Sequence, residues 1–105
     1  MNQYCRRRKD EYGNRHDTVV LPHNINAVAE IAEYGRTDEY RTIFSLENGK
    51  VKMIVIMHLN YGAETVCHEY EIDINEMCRI LNDALKKKNV KILLEPDIQE
   101  YCPEL

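Results

Sequence analysis

The clearest strand pattern of the chain runs from Tyr40 to Ile74, where polar residues recur at every second position over much of the segment, on either side of the apolar run 53–57. Residues that alternate in this way lie on opposite faces of a β-strand. Asn48-Gly49 divides the segment, and this dipeptide is typical of the type I′ turn of a β-hairpin. Gly62-Ala63 divides it again. The pattern therefore predicts three antiparallel strands, at about 40–47, 50–61 and 64–72.

The two turns also predict the register of these strands. The first turn pairs Leu46 with Val51 and Phe44 with Met53, and the second pairs Met57 with His68. One sheet face is then mostly apolar. The opposite face is mixed, with charged residues around a few isoleucines.

A helical pattern follows the third strand. Asp73 is suited to the N-cap, with Glu76 three residues later as in a capping box, and apolar residues then recur at helical spacing up to Leu85. We expect a helix at about 74–88. The apolar run 90–94, which precedes Pro96, predicts a further strand.

Two elements are predicted before the sheet. Residues 17–21 favour a short strand that ends at Pro22. Residues 25–34 place apolar side chains at helical spacing before Gly35, which is typical of a helix and the residue that follows its C-terminus. The expected fold is an α+β two-layer sandwich, an antiparallel sheet covered on one face by helices at about 25–34 and 74–88.

The 105 residues suffice for one domain. We expect a flexible basic arm at 1–16, a single α+β domain at 17–95 and an acidic C-terminal tail at 96–105. The net charge is −4. Residues 1–16 carry about +3 of it, so the remainder carries about −7.

An acidic body disfavours a large nucleic-acid or membrane footprint and suits a basic protein partner or simple solubility. No apolar run is long enough to span a membrane, and the N-terminus has no apolar segment of a secretory signal. Four cysteines without a CxxC pair are expected to be reduced thiols of a cytoplasmic protein.

A candidate protein-binding site lies on the mixed sheet face, where Ile43 and Ile54 pair across the hairpin with Ile56 beside them. An exposed apolar patch ringed by charge is typical of a protein-binding or homodimer surface. The alternatives are that the arm or the terminal strand covers these isoleucines, or that they only reflect the β propensity of a central strand. The candidate residues are Arg41, Ile43, Lys52, Ile54, Ile56, Glu69 and Glu71.

Two weaker sites are also considered. His58 and Cys67 are expected opposite one another, which would supply two ligands of a metal site, although zinc requires at least three protein ligands. The basic arm could contact nucleic-acid phosphates, the alternative being a solvated tail. Its candidate residues are Arg6, Arg7, Arg8, Lys9 and Arg15.

No nucleotide-binding loop, nucleophile elbow or zinc-protease motif is present, and no cofactor is expected. The leading hypothesis is a small acidic, non-catalytic protein-binding module. It would act as an inhibitor or regulator by occupying a partner's surface, as immunity proteins or phage anti-defence proteins with this profile do. The alternatives are a nucleic-acid-associated protein that uses the arm and a small-ligand binder with a pocket between sheet and helices.

Overall fold

The computed structural model describes residues 3–9, 11–13, 15–22 and 25–105, and of residues 8, 9 and 15–18 it describes the backbone alone. In chain order the elements are β1 (Cys5–Lys9), β2 (Arg15–Val19), β3 (Ala27–Tyr34), β4 (Glu39–Glu47), β5 (Lys50–Leu59), β6 (Glu64–Ile72), α1 (Ile74–Ala84), β7 (Val90–Leu94) and α2 (Ile98–Tyr101). Together they form a small single α+β domain.

The centre of the domain is a five-stranded antiparallel sheet in the order β6-β5-β4-β3-β7. The three strands predicted between residues 40 and 72 are confirmed, as is the strand at 90–94. The first hairpin has the predicted register, with Leu46 opposite Val51 and Phe44 opposite Met53. Asn48 and Gly49 both have positive φ, at 52° and 77°, as the predicted turn requires.

The second hairpin differs from its predicted register. Its loop contains four residues, from Asn60 to Ala63, and Leu59 pairs with Glu64. Each pairing is therefore displaced by two positions, so that Met57 lies opposite Val66 and not His68. Because the displacement is even, every side chain stays on its predicted face. The longer loop contacts the turn between β3 and β4, where the Tyr61 N–H donates to the Thr37 carbonyl at 2.8 Å.

The predicted helix at 25–34 is wrong, because these residues form strand β3. The segment has apolar residues that fit either period, so local spacing could not decide between helix and strand. Long-range pairing decides it: Ile31 lies between Thr42 of β4 and Ile92 of β7. A register shift between Ala27 and Ala29 bulges the strand.

Helix α1 is confirmed at its N-terminus, where the Asp73 carboxylate accepts the Glu76 N–H at 2.7 Å. The helix ends at Ala84, four residues before the predicted end. Met77 and Leu81 of α1 pack on the β4–β5 hairpin around Phe44.

The predicted acidic tail is corrected, because residues 98–101 form α2 and Ile98 and Cys102 are each 2% exposed. Ile98 anchors α2 in the same buried cluster as α1, and Cys102 is bonded to Cys78 of α1. The segment therefore belongs to the layer that covers the sheet. Among the described residues, no helix has the length and apolar character needed to cross a membrane.

The predicted N-terminal arm is corrected in its described part. Strands β1 and β2 pair as a hairpin, with Cys5 opposite Val19, and Tyr4 is 2% exposed. The predicted strand at 17–21 is thus displaced to 15–19 and lies outside the main sheet. The hairpin covers the sheet face opposite α1, through a second buried cluster that includes Tyr4, Ile43, Ile54 and Cys67. The sheet is therefore covered in part on both faces, and the hairpin is a layer that the predicted two-layer sandwich does not include.

Candidate protein-binding surface

The isoleucines of the predicted protein-binding site are buried. Ile43 is 4% exposed, Ile54 0% and Ile56 2%, because the β1–β2 hairpin lies on them. The interpretation of this face as an exposed protein-binding or homodimer surface is therefore wrong, and the alternative, that the arm covers it, is the one the structure shows. The prediction that these three isoleucines form one apolar group was correct, because large aliphatic residues that share a sheet face require a cover or a partner.

The charged residues of that site form intramolecular pairs. Arg41 donates to Glu30 on β3 with 2.7 Å between Nε and Oε1. Lys50 Nζ lies 3.2 Å from Glu71, and both side chains are more than half exposed. Exposed pairs of this kind contribute well under about 1 kcal/mol each. Arg41 and Glu71 therefore take part in contacts across neighbouring strands of this sheet.

Glu69 has a structural role that the sequence did not reveal. Its side chain is 3% exposed, and its carboxylate accepts three consecutive backbone N–H groups, from Gln3 at 3.1 Å, Tyr4 at 2.9 Å and Cys5 at 2.8 Å. Lys52 Nζ lies 3.9 Å away. A buried carboxylate requires such compensation, because desolvation of an unpaired charge costs several kcal/mol. Glu69 thus attaches the start of the hairpin to β6.

A second polar contact lies beside the first. The Tyr4 hydroxyl donates to the carboxylate of Glu47 at the end of β4. Burial, together with the hydrogen bond and the negative charge of Glu47, raises the pKa of Tyr4 to about 12. The neighbouring Ser45 hydroxyl can donate to the ionised form of Tyr4, which lowers the pKa of Tyr4 against the larger causes above. Within the described residues, Ser45 Oγ nevertheless has no hydrogen-bond partner, although Ser45 is 0% exposed.

The weak metal candidates do not form a site. Cys67 lies opposite Ile56 and is bonded to Cys5, with 5.4 Å between the Cα atoms. His58 lies opposite Thr65, and its Nδ1 is 3.2 Å from the Thr65 hydroxyl. The described residues contain no group of three His, Cys, Asp or Glu side chains that could hold a metal ion. Since Cys78 and Cys102 are also paired, the expectation of reduced thiols is wrong.

The residues of the nucleic-acid alternative lie on the hairpin. Arg6 and Arg7 are in β1 with exposed side chains. The side chains of Arg8, Lys9 and Arg15 lie outside the described part of the chain. The basic segment is therefore attached to the domain and does not extend from it.

Part of the helix side of the sheet lies outside both buried clusters of the described residues. Two rows cross β4, β5 and β6 there: Thr42, Val55 and His68, and then Tyr40, Met57 and Val66. We call these six residues the open sheet patch. Each is half-buried or exposed, and none belongs to either buried cluster. Tyr70 extends the patch: it is 48% exposed, and its ring centroid lies 6.3 Å from that of His68.

The patch ends at an acidic margin. Residues 33–39 and 60–64, which form the turn and loop beyond it, carry four carboxylates and one arginine. The Tyr40 hydroxyl donates to Asp38 at 3.3 Å, and the negative charge of Asp38 is the main cause that raises the pKa of Tyr40. Asp38 also accepts the Asn60 N–H at 2.9 Å, which holds the loop to the turn. The margin is therefore both negative and structurally linked.

Two clefts lie near the surface. One, of about 500 Å³, is at the acidic margin and is lined by Arg36, Asp38, His58 and Tyr61, among others. The other, of about 340 Å³, lies between α1 and the C-terminal residues, where Arg79, Asn82 and Tyr101 line it. Neither is the pocket between sheet and helices that the small-ligand alternative predicts.

Sequence reasoning missed the open sheet patch for a definite reason. It placed these residues on the inward face, and it assumed that two helices would cover that whole face. In the part of the chain that the structure describes, α1 and the short α2 cover this face, because β3 takes the place of the predicted helix at 25–34. His68 and Tyr70 could have indicated this patch. Both are polar aromatic residues, and the predicted register assigned them to the core.

Comparison with known proteins gives no relative: no family model matches the chain, and no curated protein or solved structure matches it. Functional inference therefore depends on the surface described above.

Proposed function

We propose that the protein is a small non-catalytic binding module that occupies the surface of a partner protein through the open sheet patch, and so acts as an inhibitor or regulator. The observation that supports this proposal is that Val55 and Met57 of β5 lie beside Val66 of β6, and that none of the three is packed in either buried cluster of the described residues. Contiguous apolar surface of this kind, bordered by polar groups, is typical of interaction sites.

The chemistry of the patch favours a basic, apolar partner segment. Tyr40 and Tyr70 offer amphipathic rings, which are enriched at protein interfaces. The carboxylates at its margin, Glu33 and Asp38 among them, would attract lysine or arginine side chains and increase the association rate. The net charge of −4 also favours a positively charged partner.

The compartment follows from the cysteines. Two disulfides persist where the surroundings are oxidising and are rare in the cytosol. The cytoplasmic location expected from the sequence assumed reduced thiols, so the pairing of Cys5 with Cys67 and of Cys78 with Cys102 weighs against it. We therefore propose that the module and its partner act in an oxidising compartment.

A peptide selection tests the proposed function. Random peptides displayed on phage would be selected on the wild-type protein and counter-selected on Val55→Lys, which places a positive charge in the centre of the patch. We expect enrichment of peptides that combine lysine or arginine with large apolar residues. Synthetic copies should bind Val55→Lys at least about tenfold more weakly, as loss of a central interface contact implies.

Leu93→Lys is the matched control, because Leu93 is 64% exposed on edge strand β7, away from the patch. It should change peptide affinity less than about twofold, as a change outside the interface does. Absence of enriched peptides, or peptides that bind Val55→Lys as tightly as wild type, would contradict the proposal.

The nucleic-acid alternative keeps one supporting observation, the exposed Arg6 and Arg7 side chains on β1. Fluorescence anisotropy with a labelled single-stranded oligonucleotide at physiological salt tests it directly. Binding that Arg6→Glu with Arg7→Glu abolishes would favour this alternative over the protein-binding proposal.

A further inference from the structure

The β1–β2 hairpin and the sheet face beneath it form a separable unit. The hairpin is a two-stranded sheet of its own, distinct from the five-stranded sheet. Beneath it lie Ile43, Ile54 and Ile56, which we call the covered face, each at most 4% exposed. Tyr4 and Cys5 supply the buried side of the hairpin. Displacing the hairpin would therefore expose an apolar surface without breaking the ladders of the main sheet.

Two attachments hold the hairpin at one place. The Cys5–Cys67 disulfide joins β1 to β6, and the Glu69 carboxylate, two residues further along β6, accepts the N–H groups of Gln3, Tyr4 and Cys5. Glu71, the next residue on the same face, accepts no backbone N–H from the described part of the hairpin and pairs with exposed Lys50.

We propose that the Cys5–Cys67 disulfide is a redox-sensitive latch: its reduction by a dithiol releases the hairpin and uncovers the Ile43, Ile54 and Ile56 face. One thiolate of the reductant attacks the sulfur of either cysteine. A mixed disulfide forms between the reductant and that cysteine, and the other cysteine leaves as a thiolate. The second thiol of the reductant then closes its own disulfide and releases the remaining cysteine. Two electrons pass to the protein, two thiols form on it, and the dithiol is oxidised to a cyclic disulfide.

Reduction of the disulfide depends on motion of the hairpin, because both sulfurs are buried beneath it. Cys5 is 8% exposed and Cys67 5% exposed, so an attacking thiolate reaches them only after the hairpin has begun to open. The three hydrogen bonds to Glu69 oppose that opening. Glu69 is therefore a positioning residue that sets how fast the latch can be reduced.

Reduction kinetics test this coupling. Dithiothreitol at fixed concentration would be added to wild type, Glu69→Gln and Glu71→Gln, and each disulfide followed by thiol alkylation and peptide mass spectrometry. We expect Glu69→Gln to speed reduction of Cys5–Cys67 by about tenfold or more, since hydrogen bonds to a charged group are lost. Glu71→Gln should leave that rate unchanged. The Cys78–Cys102 rate serves as an internal reference that no variant alters. Equal Cys5–Cys67 rates in the three proteins would overturn the proposal.

Amide exchange tests the release itself. In Cys5→Ser with Cys67→Ser, we expect protection of the β1 and β2 amides to fall by about tenfold or more, while β4 and β5 stay protected. Binding of an apolar fluorescent dye should rise in parallel as the covered face is exposed. Unchanged hairpin protection would show that the disulfide is no latch. Loss of protection in β4 and β5 together with the hairpin would equally overturn the proposal, since the bond would then stabilise the whole fold.

Discussion

The hydroxyl of Tyr4 donates a hydrogen bond to the carboxylate of Glu47, 43 residues away in the sequence, and the two residues join the N-terminal hairpin to the end of β4. Tyr4 is 2% exposed and Glu47 is half-buried, so the contact is partly shielded from water. A buried tyrosine hydroxyl requires a partner, and here the partner is charged. The pair therefore links the hairpin to the sheet at a second point, apart from the disulfide.

This contact predicts a loss of stability at high pH. Tyrosine is neutral when protonated, and the pKa of Tyr4 is raised from 10.0 to about 12 in the folded protein. The resulting stabilisation is fully present below pH 10 and is lost as the pH rises towards 12. A rise in pKa of this size corresponds to at most about 3 kcal/mol of stability.

Urea unfolding from pH 8 to 11.5 measures this effect by comparison with Tyr4→Phe. The variant should be less stable by about 2 kcal/mol at pH 8, because it lacks the charged hydrogen bond. That difference should shrink as the pH rises. Tyr61→Phe is the control, since Tyr61 is 85% exposed and its difference from wild type should stay constant. A Tyr4→Phe difference that does not vary with pH would contradict the prediction.

The parts of this fold that follow from the sequence are those with local signals. Asn48-Gly49 determines the β4–β5 register through its backbone conformation, and Asp73 determines where α1 begins. Strand β3 could not be predicted, because Val28, Ala29 and Ile31 fit a helix as well as a strand. Its identity depends on β4 and β7, which are distant in the sequence.

The candidate site shows the same division. The three isoleucines on one face were predicted correctly as a group, and their cover by the arm was predicted as the alternative to an exposed binding surface. Cys5 and Cys67 are 62 residues apart, and no spacing rule connects them. The open sheet patch was missed because the extent of cover by α1 depends on packing and not on any local pattern.

Ser45 predicts an unusual response to substitution. Its side chain is 0% exposed, and within the described residues its hydroxyl oxygen makes no hydrogen bond. A buried hydroxyl without a partner costs about 1–3 kcal/mol of desolvation. Ser45→Ala removes that cost with little loss of volume, so we expect unchanged stability or a gain of up to about 2 kcal/mol.

The measurement is the urea midpoint at pH 7, with Ser45→Thr as a comparison. Threonine keeps the hydroxyl and adds a methyl group to a filled position, so it should be destabilising by about 1–3 kcal/mol. If Ser45→Ala is destabilising by more than about 1 kcal/mol, the hydroxyl has a hydrogen-bond partner and the interpretation is wrong.

The Cys78–Cys102 disulfide predicts the stability contributed by the C-terminal segment. It closes a loop of 24 residues between α1 and the residue that follows α2. Closing such a loop lowers the entropy of the unfolded chain and stabilises the folded protein by about 3 kcal/mol. Cys78→Ala with Cys102→Ala should therefore lower the free energy of unfolding by about that amount. The loss should be larger if the smaller side chain at position 102 leaves a cavity beside Ile98.

Equilibrium urea unfolding without reductant measures this change. Gln99→Ala, in an exposed position of α2, is the control and should change the free energy of unfolding by less than about 0.5 kcal/mol. A double variant within about 1 kcal/mol of wild type would show that α2 is held by the packing of Ile98 and not by the covalent bond.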